Sequence, residues 1–274
     1  MTIKIVADST ADVPAEFVAL LDLTVIPCAL IIGGRSLRDG VDIARADFYA
    51  RLPSLPDLPT TAAPSAGAFE AAYDSLAGAD HIISIHAAAA LSGIYNAARL
   101  AAEKYGPRVT VIDSGQISMG LGWQVIVGGE AAAAGQTLDA VRAAIDSVRR
   151  RIRLYALLNT LDYVRRSGRV SWLRAGLGSA LQIKPTMELA EGQVIKIAET
   201  RTWRKAFAGL ASLVQSLGPL ERLAVMHSNL ASEAEALLER LAGAVSGEKL
   251  IVEATTVVGT HVGPGAVAVA AVTK

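Results

Sequence analysis

Short apolar runs rich in valine and isoleucine recur along the chain at Ile3 to Ala7, His81 to Ile85, Val109 to Ile112 and Leu154 to Leu158. Each is apolar at nearly every position, which is the pattern of a strand buried on both faces. Between them the apolar positions fall at helical spacing over Ala66 to Leu76, Ser92 to Tyr105 and Leu138 to Arg151, the last with its charges gathered on one face. Strand, helix and strand in alternation predict a parallel sheet with helices on both faces. Further on the pattern changes. Ile183 to Leu189 and Gln193 to Thr200 flank the turn Ala190-Glu191-Gly192 and predict a hairpin. A helix after Trp203, a strand over Arg222 to Met226, a helix over Ser232 to Ala242 and two closing strands around His261 then complete a smaller unit. The expected architecture is therefore α/β in two lobes, residues 1–154 and residues 155–274. Leu52 to Ala66 contains Pro53, Pro56, Pro59 and Pro64 and is expected as an extended surface loop, because proline has no amide proton to give a helix or a central strand.

Composition adds limits to this picture. Of 274 residues, 52% are hydrophobic and 5% aromatic, so the chain predicts a large core of small aliphatic side chains. Lysine plus arginine and aspartate plus glutamate each total 26, with no block of one sign, which argues against a nucleic acid partner. Cys28 is the single cysteine; it excludes an internal disulfide and a cysteine-built zinc site, and within Val25 to Ile32 it is expected as a core thiol. The opening MTIKIVADST lacks the apolar run of a secretory signal, so a cytoplasmic location is expected. Ala254 to Thr273 carries no charged side chain and approaches the roughly 20 residues of a membrane span. Its interior GTHVGPG would break a helix, so strand, loop and strand are expected there, without membrane insertion.

Several familiar chemistries are absent from the sequence: G-x-x-x-x-G-K-[ST], H-E-x-x-H, G-x-S-x-G and G-x-G-x-x-G do not occur. The glycine pairs Gly120 with Gly122 and Gly176 with Gly178 lack a third glycine and are expected as close-packing positions. Polar residues do follow the predicted strands, where parallel sheets place their ligands. Asp8-Ser9 and Asp113-Ser114 are such pairs, although the same residues suit simple turn capping. Ser92 opens the predicted helix Ser92 to Tyr105, where free amide groups favour an anion or where the serine serves only as a cap. Thr60-Thr61 lies in the proline-rich loop, and His261 lies in a loop of Gly259, Gly263, Pro264 and Gly265, a setting that also suits a structural histidine, as do those of His81, His86 and His227. A rival assignment makes Ser92 a nucleophile, His261 its base and Asp8 or Asp113 the orienting acid of a serine hydrolase or acyltransferase, though without a nucleophile elbow. A third makes the chain a regulatory or interaction module in which any bound ligand is a structural filler.

Taken in order, KIVADSTADVP at Lys4 to Pro14, DGVDI, PTTAAPSAGAFEAAY, LSGIYNAA at Leu91 to Ala98, VIDSGQISMGLG, TLDYVRRSGRVS, IKPTMELAEGQV, RTWRKA and VGTHVGPGAVAV resemble the DegV family of bacterial fatty acid binding proteins over nearly the full length. The resemblance implies two α/β lobes with one long-chain fatty acid between them, no cofactor and no catalysis by the chain itself. In some members it also implies the lipid-presenting subunit of a fatty acid kinase, whose partner phosphorylates the bound carboxylate on the way to phospholipid synthesis. It carries the carboxylate contacts onto Thr61 of PTT, Ser92 of LSG and His261 of H-x-G-P-G, sets Arg169 of SGR near the same end, and offers Arg201 of RTWRKA as a partner surface. The chain departs from the usual pattern at Ala87 to Ala90, where two serines often precede LSG, and at Ile94, where threonine usually follows it. Ala62-Ala63 replaces Ser-Gln, and Ser167 replaces the first glycine of G-G-R. These exchanges bear on chain preference and on the use of a kinase.

Overall fold

The computed structural model describes residues 1–170 and 183–274. Three of the valine- and isoleucine-rich runs, with one further short strand, form a four-stranded parallel sheet in the order β2 (Thr24–Ile26), β1 (Ile3–Asp8), β6 (His81–His86), β7 (Val109–Asp113), whereas the fourth run, Leu154 to Leu158, belongs to a different sheet with antiparallel neighbours. Because side chains alternate across a strand, Ser84 and His86 face the helix Ala66–Ser75, where they meet Tyr73 and Phe69. Ile5 faces the opposite helix, Met119–Ala133. That second helix is buried almost all round, as its largely apolar sequence requires. It lies against both the first sheet and a second one, to which Trp123 Nε1 donates a hydrogen bond at Ala270 O, 3.0 Å. Gly120 and Gly122 are indeed close-packing positions: a Cβ on Gly122 would stand 2.6 Å from Ala11 O. Gly176 and Gly178 lie outside the described residues.

Two further sheets complete the chain. A small antiparallel one runs in the order β4 (Arg35–Arg38), β3 (Ala29–Ile32), β5 (Thr60–Ala62). The larger has six strands in the order β10 (Gln193–Thr200), β9 (Lys184–Ala190), β8 (Ile152–Leu157), β13 (Val267–Thr273), β11 (Leu220–His227), β12 (Lys249–Glu253). The expected hairpin is its β9–β10 pair. Tyr155, Leu157, Leu223, Val225, Val267 and Val269 point to one face, under the helices Trp203–Gln215 and Ala231–Leu241. Leu154, Ala224, Met226 and Ala270 point back into the core shared with the first sheet. Among the described residues, no helix is long and apolar enough to cross a membrane.

Three expectations need correction. His261 is not in a loop between two strands; it occupies the last turn of a helix, Thr256–Val262, which stands between β12 and β13. The proline-rich stretch is not simply an extended surface loop, since it contains β5, which pairs with β3 through Thr61 opposite Leu30. Pro59 and Pro64 flank that strand, so no ladder bond is lost to them, and Leu52 is buried. The helix expected from Ser92 begins two residues later, at Ile94, with Gly93 as its N-cap.

Candidate functional site

Behind the six-stranded sheet lies a cavity of about 290 Å³, close to the lower end of the range usual for ligand pockets. Strand register builds its floor. Met187, Ala156, Ala268 and Met226 stand side by side on β9, β8, β13 and β11, and all four line the cavity. The two central alanines leave the space that larger side chains would fill. Leu154 and Leu189 line the same surface one step along the strands, and Leu158 and Ala266 do so in the other direction. Leu91, Ile94, Ile117, Val257 and Val258 contribute from the opposing segments, so the wall is aliphatic over most of its area.

Thr61, Ser92, Arg169 and His261 all line this one cavity, although they come from four separate segments. Thr61 Oγ1 and His261 Nε2 share a hydrogen bond of 2.9 Å, and the ring tautomer sets which of them donates. Burial pushes the His261 pKa down to about 4, and the positive charge of Arg169 adds to the effect, so the imidazole is neutral near pH 7. Its Nδ1 is buried without a partner among the described residues. Ser92 Oγ accepts a 3.4 Å bond from the Ile94 amide, which leaves the hydroxyl proton uncommitted among the described residues. Arg169 is exposed and donates from Nη1 to Ser167 O at 2.7 Å. The result is a polar group of two hydroxyls, a neutral imidazole and one guanidinium on a wall that is apolar over most of its area, although Ser118, Glu188 and His227 also line it. Arg201 is not part of it; this exposed residue lies between β10 and the helix Trp203–Gln215.

The helix that bears His261 is packed through its glycines. A Cβ on Gly259 would stand 2.4 Å from Tyr49 Oη, and one on Gly263 would stand 2.3 Å from Tyr163 Cδ2. Gly263 also has φ +77°, which L side chains rarely adopt. The two tyrosine rings therefore sit against the helix on either side of His261 in sequence, where only glycine leaves room.

Neither acid proposed to orient His261 is available for that task. Asp113 Oδ1 accepts the amides of Ala89 and Gly115, at 3.2 and 2.9 Å. Asp8 Oδ2 accepts the Ala87 amide at 3.1 Å and lies 3.0 Å from His86 Nδ1. His86 Nε2 in turn lies 2.6 Å from Ser84 Oγ, to which Tyr73 Oη donates at 2.9 Å. Burial pushes Asp8 up, but hydrogen bonding and the charge of His86 outweigh it and hold the carboxyl below its usual range. The serine, histidine and aspartate thus have the order of a catalytic triad, yet all three are fully buried and none lines the cavity. This network was hidden in the sequence because Ser84 and His86 sit inside an apolar run. Cys28 is a core thiol, as expected, and burial together with the Asp8 charge pushes its pKa well above the usual value.

The DegV family model matches residues 2–274. The chain belongs to the DegV family. Among DegV relatives, the DegV domain-containing protein SCO2569 of Streptomyces coelicolor is 35% identical over 269 residues, 96% of this chain and 95% of the relative. Among solved DegV structures, a fatty acid binding DegV family protein from Thermus thermophilus superposes with a TM-score of 0.92 at 30% identity, covering 100% of both chains. DegV from Bacillus subtilis, described as a fatty acid binding protein, superposes with a TM-score of 0.88 at 26% identity, again over 100% of both chains. Ala62, Ala63, Ala87, Ile94 and Ser167 also line the cavity, whereas Ala88, Ala89 and Ala90 do not.

Proposed function

We propose that this chain is a carrier that buries the acyl chain of one long-chain fatty acid between lobes 1–154 and 155–274 and holds the carboxylate on Thr61, Ser92, His261 and Arg169. The observation that carries the proposal is the coincidence of an aliphatic cavity with these four polar groups in its wall. Burying a 16-carbon chain contributes a gross ~12 kcal/mol at about 0.8 kcal/mol per methylene, from which the costs of association are subtracted. A carboxylate leaves water only when it is hydrogen bonded or paired, and hydroxyls beside a guanidinium meet that need without reacting. The fatty acid binding described for the Thermus and Bacillus proteins supports the same ligand class. For a hydrolase built on Ser92 and His261, the two aspartates offered to orient the histidine, Asp8 and Asp113, are bonded elsewhere.

Ser92→Ala and His261→Ala are each expected to weaken retention of hexadecanoic acid by about tenfold while leaving the melting temperature near that of the parent. Titration with a fluorescent fatty acid measures this. Equal retention in both variants would remove the head-group assignment. We infer further that the bound carboxylate is presented to a fatty acid kinase subunit, with Arg201 on the contact surface. Added kinase and ATP should then yield acyl phosphate from the loaded protein, and less of it from an Arg201→Ala variant. Bound acid that stays unphosphorylated would leave the carrier without this partner.

A further inference from the structure

Four consecutive residues at the entrance to helix Thr256–Val262 are gripped by side chains from far earlier in the chain. Arg45 donates to Glu253 O, and Tyr49 Oη donates to Ala254 O at 3.0 Å. The Thr255 amide donates to Asp12 Oδ1 at 2.8 Å. The Thr256 amide and hydroxyl both donate to Asp39 Oδ1, at 3.1 and 2.7 Å. Asp12, Asp39 and Tyr49 are no more than 3% exposed, and Asp12 also accepts from Ser118 Oγ. Burial pushes the Asp12 pKa up to about 6, against the charge of Arg45 and the hydrogen bonds from Ser118 and Thr255.

A helix usually caps itself with its own N-cap side chain. Here Thr255 makes no such bond, and the role falls to Asp39 from across the fold. The sequence TVVGTHV explains the need, since five of its seven residues are β-branched and one is glycine, all poor helix formers. A helix this short has little stability of its own and takes its position from what holds it. What holds it is the segment that also supplies Thr61. Asp39 directly follows β4, Arg45 and Tyr49 lie on the helix Arg45–Arg51, and Thr61 is on β5. One stretch of chain therefore carries one partner of the Thr61–His261 hydrogen bond and anchors the other.

We propose that Asp39, assisted by Asp12, Arg45 and Tyr49, is a positioning residue for His261, acting through the first turn of its helix so that the cavity distinguishes a free carboxylate from a neutral head group. This rests on the fatty acid assignment above. Asp39 touches no ligand atom in this scheme; its effect reaches the head group only through His261.

The test compares hexadecanoic acid with its methyl ester, which keeps the hydrocarbon and lacks the charge, in a fluorescence displacement assay. The parent protein is expected to prefer the acid by about tenfold or more. Asp39→Ala should weaken the acid by about tenfold and leave the ester within about twofold, so that the preference collapses. Asp39→Asn keeps a carbonyl oxygen for the Thr256 donors and should retain most of the preference. Equal weakening of acid and ester, or an unchanged acid, overturns the positioning role. Should Asp39→Ala fail to fold, Tyr49→Phe removes only the hydroxyl bonded to Ala254 O and should still narrow the preference, by about threefold; an unchanged preference there overturns the role equally. If the parent itself does not distinguish the two ligands, the head-group assignment falls and the role of Asp39 falls with it.

Discussion

An Ala156→Phe variant is expected to lose fatty acid capture by at least about a hundredfold while melting at or slightly above the parent temperature. Ala156 lies on the floor row between Met187 and Ala268, and its side chain faces the cavity in the middle of a six-stranded sheet. A phenyl ring there has no other space to enter, because the opposite face of β8 is packed under helices through Tyr155 and Leu157. It would therefore occupy the volume meant for methylenes and, by filling a void, stabilise the fold by about 1 kcal/mol. Titration with a fluorescent fatty acid and a thermal melt of the same sample check both halves. Parent-like affinity in this variant would mean that the acyl chain lies somewhere else.

Gly263→Ala should act in the opposite way, lowering the unfolding free energy by about 3 kcal/mol and weakening capture together. Two independent costs combine at this residue. The backbone is held at φ +77°, and a new Cβ would meet Tyr163 Cδ2 at 2.3 Å. Relieving the clash by Gly263→Ala with Tyr163→Ala should recover only the steric part, since the backbone strain remains. Urea unfolding of the single and double variants separates the two. A loss below about 1 kcal/mol in the single variant would show that the helix can shift at little cost.

How far the fold was legible varies by element, and for physical reasons. β1, β6 and β7 could be read because a parallel strand buried on both faces must be apolar throughout, and valine and isoleucine announce it. The helix Thr256–Val262 could not be read. Its own residues oppose a helix, and it forms because Asp39 caps it and two tyrosines pack against its glycines, all from distant parts of the chain. The strand at Thr61 was concealed by four prolines, and its order comes from pairing with β3 some thirty residues earlier, which local pattern does not reveal. The four candidate site residues follow from the family resemblance carried by motif order, and all four line one cavity. Asp12 and Asp39 lie in ADVP and RDG, where an aspartate is ordinarily a turn residue, and only tertiary contact distinguishes these two.

Recognition of the proposed ligand is divided between stretches of chain that share little else. Residues 12–62 supply Thr61 and fix His261, whereas Met187, Ala156, Ala268 and Met226 come from strands much later in the sequence. Paralogues could therefore diversify the hydrocarbons they accept by drifting at the floor while inheriting an unaltered acid-reading mouth, so that cargo shape and chemical handle evolve on separate schedules.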